Sequence, residues 1–205
     1  MSIAPVLPVG AGSFLHDLEQ LGAVALRVLA SEDAEGLAEL AKTYRFSERP
    51  ERYGPRNVVQ RFSACEEEDI PSDSPLRSIS GALCRTIETM MTGAVCDSPF
   101  AMPLCFNDHL VLRYPPHDVG LGAHRDHSQY VNLIVSLTLC GESSFNVHDD
   151  AESPPRTTFR SSSGIAVFMR APGFLGENVR PYHSVTDVSE ERIALVLKQK
   201  GGVEK

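Results

Sequence analysis

Two hydrophobic periodicities divide the chain near residue 103. Before it, apolar residues recur at helical spacing. Phe14, Leu15, Leu18, Leu21, Val24, Leu26 and Leu29 predict one helix over 14–30, preceded by a loose or lightly docked arm over 1–12. Ser31 is placed to cap a second helix, with Glu32 and Asp33 in a first turn that favours acidic side chains. Leu76, Ile79, Leu83, Ile87 and Met90 predict a third helix over about 75–91. Beyond residue 103 come short runs of β-branched and large apolar residues, separated by Gly, Pro, Ser and Asp. They are LCFNDHLVLRY, YVNLIVSLTL, SSFNVHD, TTFR, GIAVFMR, YHSV and RIALVLKQ. The gaps between them are too short for crossover helices. The fold class expected is therefore α+β, mainly β, with helices packed outside an antiparallel sandwich or barrel. One domain over 1–205 is expected, with 1–102 as helical support and lid segments and 103–199 as the β core. Rossmann and P-loop folds are excluded, because their glycine fingerprints are missing.

Composition narrows the function classes. A chain of 205 residues can bury roughly 70% of its unfolded surface, so it needs no disulfide or structural metal to fold. The formal net charge of −8 gives no global cationic field, so tight nucleic-acid binding would need a local basic patch against the overall balance. The absence of Trp weighs further against base stacking. The cysteines Cys65, Cys84, Cys96, Cys105 and Cys140 are scattered without a Cys-x-x-Cys pair, which fits a reducing cytosol. MSIAPVLPVGAGSF has no basic leader and no long apolar core, and LGAVALRVLA is too short to span a bilayer. A cytoplasmic protein with no membrane partner is expected.

The chemistry is concentrated in LGAHRDHSQY, residues 121–130. In an extended segment, residues two apart point to one side, so His124 and Asp126 can share a cavity while Arg125 faces away. One imidazole and one carboxylate are two-thirds of the facial triad that holds non-haem Fe(II) and leaves other positions open. His183, in RPYHSV and 57 residues beyond Asp126, can supply the second imidazole if a barrel brings its strand back. His127 competes as a ligand, but His-x-x-His needs a helix and a catalytic Glu, and LGAHRDHSQYVNL has neither. His16, His109, His117 and His148 read as solvated or structural. Nine residues after His183, Arg192 opens RIALVLK, and Lys198 follows at the same strand parity. A guanidinium fixed on a barrel wall suits bidentate capture of a carboxylate. Tyr114, in VLRYPP, can add a hydroxyl to the same carboxylate.

Together these residues make the stretch 103–199 resemble the Fe(II)/2-oxoglutarate-dependent dioxygenases. The family pattern is His-x-Asp, a distal His, then an Arg or Lys on the following strand, here His124, Asp126, His183 and Arg192. The resemblance implies a double-stranded β-helix (jelly roll) core buttressed by the N-terminal helices. FNDHLVLRYPP, HRD and RIALVLK are similar to the AlkB-type demethylases, in which a Tyr and two basic residues six apart hold 2-oxoglutarate. Those positions are Tyr114, Arg192 and Lys198. The chain departs from that subfamily in having Leu112 where it prefers Asn and Lys198 where it has Arg.

The resemblance implies Fe(II) on His124, Asp126 and His183, with 2-oxoglutarate as co-substrate and O2 as oxidant, yielding succinate and CO2. Because Asp126 is a carboxylate, no ligand position is freed for halide, which favours hydroxylation over halogenation. A small-molecule metabolite ranks first as substrate, and a nucleic-acid base, demethylated or hydroxylated, ranks second. A silent jelly-roll binding module and a zinc protein remain as other classes; the zinc reading leaves Arg192 without a duty. Segment 45–61, with Arg45, Arg49, Arg52, Arg56 and Arg61, is either a lid gripping an anion or a solvated loop. Glu48 and Glu51 tip that choice to the solvated loop. Loop 171–182 precedes the distal histidine, and its Arg180 is a candidate for meeting an acidic group.

Overall fold

Strand parity sorts the β-rich half of the chain into two faces with opposite chemistry. A computed structural model describes residues 5–92 and 97–202. Its first half runs α1 (Ala11–Leu21), β1 (Ala23–Arg27), α2 (Ser31–Ala41), the short strands β2 (Ser47–Glu48), β3 (Arg52–Tyr53), β4 (Val58–Val59) and β5 (Ser63–Cys65), then α3 (Pro75–Met91). The second half runs β6 (Asp108–Tyr114), β7 (Leu121–His124), β8 (Tyr130–Cys140), β9 (Ser143–His148), β10 (Pro155–Ser161), β11 (Ile165–Arg170), β12 (Tyr182–Thr186) and β13 (Arg192–Lys200). Among the described residues, one sheet has the order β1-β11-β8-β13-β6-β5-β2 and a smaller one the order β10-β9-β12-β7. The strands of 108–200 pass back and forth between these sheets, and every pairing is antiparallel. This is the predicted mainly β jelly roll.

Alternation explains how one set of strands presents two different faces. On β13, Ile193, Leu195 and Leu197 join Phe14, Leu18, Leu76, Ile79, Leu83 and Ile87 in the core beneath the helices. Leu133, Val135, Leu137 and Leu139 of β8 do the same. The intervening positions point between the sheets, where Leu112, Tyr114, Ile134, Val167, Met169 and Val196 meet Phe145, Val147 and Val185 of the smaller sheet. Burying one such Leu or Ile side chain contributes about 1.5–3 kcal/mol. The outer face therefore holds the fold together, and the inner face is left to carry polar groups.

Three expectations for residues 1–102 are corrected. The helix predicted over 14–30 ends at Leu21, because Gly22 takes a left-handed φ of +83° and its N–H closes on the Leu18 carbonyl. Val24 and Leu26 then belong to β1, which pairs with β11 at the edge of the larger sheet. A period of 3.6 and a period of 2 coincide over so few residues, and the open sheet edge decides. Residues 1–102 are thus more than helical support: β1, β2 and β5 extend the larger sheet, and β3 and β4 form a separate hairpin. The arm is also docked, with the Val6 N–H donating to the Val28 carbonyl at 3.0 Å. Ser31 does not cap α2 as expected: Ala30 holds the cap position, and the Ser31 hydroxyl accepts from the Arg27 guanidinium at 3.1 Å. The third helix has the predicted bounds, with Ser74 accepting from the Leu76 N–H as its cap.

Gly120 marks the turn into β7. Its φ is +70°, and a Cβ there would lie 2.4 Å from the Val185 carbonyl oxygen. Gly120→Ala is expected to destabilise the protein by about 2–3 kcal/mol, measured from urea unfolding midpoints. Gly36→Ala, in α2 with nothing within 4 Å of the added methyl, is expected to stabilise by about 0.5–1 kcal/mol.

Candidate metal centre

β7 ends at His124, and β12 places His183 directly across from it in register. Opposed residues in a sheet project to one face, and the two imidazole centroids are 4.2 Å apart. Asp126 lies just beyond the strand end, with Oδ2 3.4 Å from His183 Nε2. One donor atom from each of the three residues lies within 4.8 Å of the other two. His124 Nδ1 is 3.0 Å from the Gly122 carbonyl, and His183 Nδ1 is 3.2 Å from the Pro181 carbonyl. A carbonyl only accepts, so Nδ1 of each ring carries a proton, and the Nε2 lone pair is the one that can face a metal. Two oriented imidazoles and one carboxylate suit a divalent metal such as iron that keeps open coordination positions.

The charges around this centre are balanced on one side only. Burial pushes His183 down to about 3, and the neighbouring His124 adds to the effect. Burial opposes the charge on Asp126, but Lys198 and the two histidines outweigh it and hold the carboxyl well below its usual range. Lys198 Nζ sits 2.6 Å from Asp126 Oδ1. Burial lowers its ionisation, but Asp126, Tyr130 and Asp108 together raise it, for a net rise. Lys198 is therefore committed to Asp126, a link that strand parity alone does not show.

Arg192 has no such partner. It is 1% exposed, and burial pushes its ionisation down. Nη2 donates to Thr138 Oγ1 at 3.0 Å and to Ser136 Oγ at 3.5 Å. Nε and Nη1 have no hydrogen-bond partner. Tyr114 stands directly across from Arg192 on β6, with the guanidinium carbon 5.1 Å from its ring centroid. Tyr114 and Ser136 line a narrow cavity of about 60 Å³ that also reaches His124, Asp126, His183 and Lys198. Five of the six sequence-selected residues line this cavity, and Arg192 adjoins it through Tyr114 and Ser136.

Outside this cavity lies a cleft of about 790 Å³, bordered by His124, Lys198, Arg180, Tyr182 and residues of the β3–β4 hairpin. Segment 45–61 is therefore more than a solvated loop. The Arg61 N–H donates to the Gly120 carbonyl at 2.8 Å and Gln60 bridges to Leu121, which ties the hairpin to β7. Arg125 also lines the cleft, with its guanidinium carbon 4.1 Å from the Tyr182 ring centroid. The expectation that it faces away fails because β7 stops at His124, so strand alternation does not extend to Arg125. Tyr182 and Arg125 are the cleft residues that sequence reasoning missed. His127 is exposed and accepts from the Gln129 N–H at 3.2 Å. His109 pairs with Glu67, and His148 lies 2.9 Å from both the Ser153 carbonyl and the Ser184 hydroxyl. Cys65, Cys84, Cys105 and Cys140 are unpaired; Cys96 lies outside the described residues.

No family model matches the chain, and no curated protein sequence matches it. Solved structures do. An oxidoreductase of the 2OG-Fe(II) oxygenase family from Burkholderia pseudomallei is 17% identical with a TM-score of 0.64, covering 96% of this chain and 95% of that one. A prolyl hydroxylase from Trichoplax adhaerens, solved with a hypoxia inducible factor peptide, is 15% identical with a TM-score of 0.60, over 92% of this chain and 88% of that one. The structure of OsALKBH1 is 17% identical with a TM-score of 0.59, over 87% and 98%. The likeness spans nearly all of each chain and shows that the fold is the one these oxygenases share. Among the described residues, no helix is long and apolar enough to cross a membrane.

The depressed His183 gives the metal-free protein an acid sensitivity with a definite sign. Above its ordinary value of 6.5, folded and unfolded His183 are both neutral and its contribution is fully present. As pH falls from there towards about 3, the unfolded chain takes up a proton that the folded chain refuses. Stability should fall by up to about 1.4 kcal/mol per pH unit from this group. Urea midpoints across that range should decline more steeply for the wild type than for His183→Gln; equal slopes would assign the acid sensitivity to other groups.

Proposed function

We propose that this protein is an Fe(II)- and 2-oxoglutarate-dependent dioxygenase that hydroxylates a C–H bond of a small-molecule metabolite. O2 is the oxidant, and 2-oxoglutarate is converted to succinate and CO2. The observation that carries this reading is Arg192, a buried cation with two unpartnered donor atoms beside the cavity of the His124, Asp126 and His183 cluster. Burying a charge without a counter-ion costs several kcal/mol. A dicarboxylic acid with one end on the metal and the other on Arg192 removes that cost. A zinc hydrolase would use the same three ligands and leave Arg192 unanswered.

The roles follow from position. His124, Asp126 and His183 would hold the iron, with the Gly122 and Pro181 carbonyls fixing both rings. Lys198 would fix the orientation of Asp126 and keep it ionised. Arg192 would receive the distal carboxylate, steadied by Thr138 and Ser136 through Nη2 and flanked by Tyr114. Leu112, Ile134, Val167, Met169 and Val196 line the same cavity and would exclude water from it. When bound, iron and 2-oxoglutarate supply the O2-dependent oxidation, and the protein supplies position and surroundings. The inner cavity is narrow, about 60 Å³, so the substrate would approach through the outer cleft.

Adding Fe(II) and 2-oxoglutarate without O2 should produce a weak visible charge-transfer band. His183→Ala should lose both bound iron and the band; no band in the wild type, with iron retained in the variant, would overturn the assignment. Arg192→Ala should raise the 2-oxoglutarate requirement about 100-fold while iron content stays nearly intact. Parallel loss of both would make Arg192 structural.

A further inference from the structure

The outer cleft carries charge that the dioxygenase reading does not use. Among its lining residues are Arg49, Arg56, Arg125, Arg180 and Lys198, and no Asp or Glu lines it. Two of these cations are already answered: Lys198 by Asp126 and Arg49 by Glu66. Arg56, Arg125 and Arg180 have no carboxylate partner among the described residues. This is a local concentration of positive charge on a chain whose formal net charge is −8.

Two of the three guanidiniums, those of Arg56 and Arg125, meet at Tyr182, which is 9% exposed. Arg125 lies with its guanidinium carbon 4.1 Å from the Tyr182 ring centroid, and Arg56 at 5.5 Å from the same ring. Arg56 also hydrogen-bonds the Tyr182 hydroxyl. Arg180 donates to the backbone carbonyl of Asp126 at 3.2 Å, which places it beside the metal-binding loop. Stacking on the ring offsets part of the repulsion between like charges, but it leaves their in-plane donors free. An anion is the ligand that relieves the rest. The Asp126 carboxylate beside this cluster is taken up by Lys198, and two further acidic residues, Asp150 and Glu152, line the adjoining opening that shares Arg56 and Tyr182. The Asp150 carboxylate is taken up by the Glu152 and Ser153 N–H groups and the Ser153 hydroxyl.

We infer that the substrate is a small molecule bearing an anionic head group, a phosphate or a carboxylate, bound by Arg125 and Arg180 with Arg56 closing from the hairpin. The inference rests on the dioxygenase reading for what the cleft serves, and it adds the substrate class. A polynucleotide fits less well, because its further phosphates would meet a protein with 27 acidic against 19 basic residues. With its anionic end on Arg180, the rest of the molecule extends towards the metal cluster, so these arginines would set which C–H bond is presented.

The test observes arginine Nε–Hε signals by NMR in nitrogen-15-labelled protein, loaded with Zn(II) and 2-oxoglutarate and also metal-free. Inorganic phosphate and acetate are the probes, titrated separately. Saturable shifts of the Arg125 and Arg180 signals are expected, weakened about tenfold in Arg125→Ala and in Arg180→Ala. Arg125→Lys should restore part of the loss. Tighter phosphate than acetate assigns a phosphorylated substrate, and the reverse assigns a carboxylate. Absence of saturation, or shifts that both alanine variants leave unchanged, would overturn the inference. So would an oligonucleotide saturating the same signals about a thousandfold below phosphate, since that assigns a polymer. If Zn(II) and 2-oxoglutarate fail to bind while the metal-free protein still takes up phosphate at Arg125 and Arg180, the dioxygenase reading falls and the anion site stands.

Discussion

A buried guanidinium without a counter-ion sets the terms for the rest of this molecule. Arg192 is enclosed between two sheets, and its hydrogen bonds to Thr138 and Ser136 engage Nη2 alone. A core built only for stability would place an apolar side chain there, since an unmatched buried charge costs several kcal/mol. Six residues along the same strand, Lys198 is also enclosed, yet Asp126 meets it at 2.6 Å. One inward cation is satisfied within the protein, and the other keeps two donor atoms without a partner. The proposed function rests on that contrast.

The fold makes the arrangement affordable by separating two duties onto two faces of the same strands. Ile193, Leu195 and Leu197 bind β13 to the helical layer, and the alternate positions are free to carry Arg192 and Lys198. The second sheet contributes the histidines through register: His183 lies opposite His124, so a one-residue slip would send one imidazole to the other face. Gly120 enters β7 with a backbone conformation and a close approach to Val185 that a side chain would obstruct. The candidate metal ligands are thus fixed by hydrogen-bonded strands and the loop immediately after one of them.

Much of this was legible in the sequence because it depends on local alternation. Each of the apolar runs after residue 103 carries an observed strand, and α3 has its predicted bounds. The spacing of His124, Asp126, His183, Arg192 and Tyr114 selects residues that the structure brings together, because each strand position fixes a facing direction. What escaped was decided by partners far along the chain. Ala23–Arg27 looks helical until a sheet edge offers it β11. Arg125 looks outward until the strand ends at His124, after which no alternation rule governs it. The hairpin carrying Arg52 and Arg56 reads as a solvated loop, since nothing in its own sequence shows that Gln60 and Arg61 tie it to β7. Lys198 was visible as a cation of the right parity, while its engagement with Asp126 depends on a loop 72 residues away.

The central claim is that one ligand joins the His124, Asp126 and His183 cluster to Arg192. A crystal structure of the protein grown anaerobically with Mn(II), as a redox-inert substitute for iron, and 2-oxoglutarate tests it most directly. Metal on those three side chains is expected, with a carboxylate of 2-oxoglutarate paired with Arg192 Nε and Nη1. Metal bound elsewhere, or Arg192 still bonded only to Thr138 and Ser136 with 2-oxoglutarate present in the crystal, would contradict it.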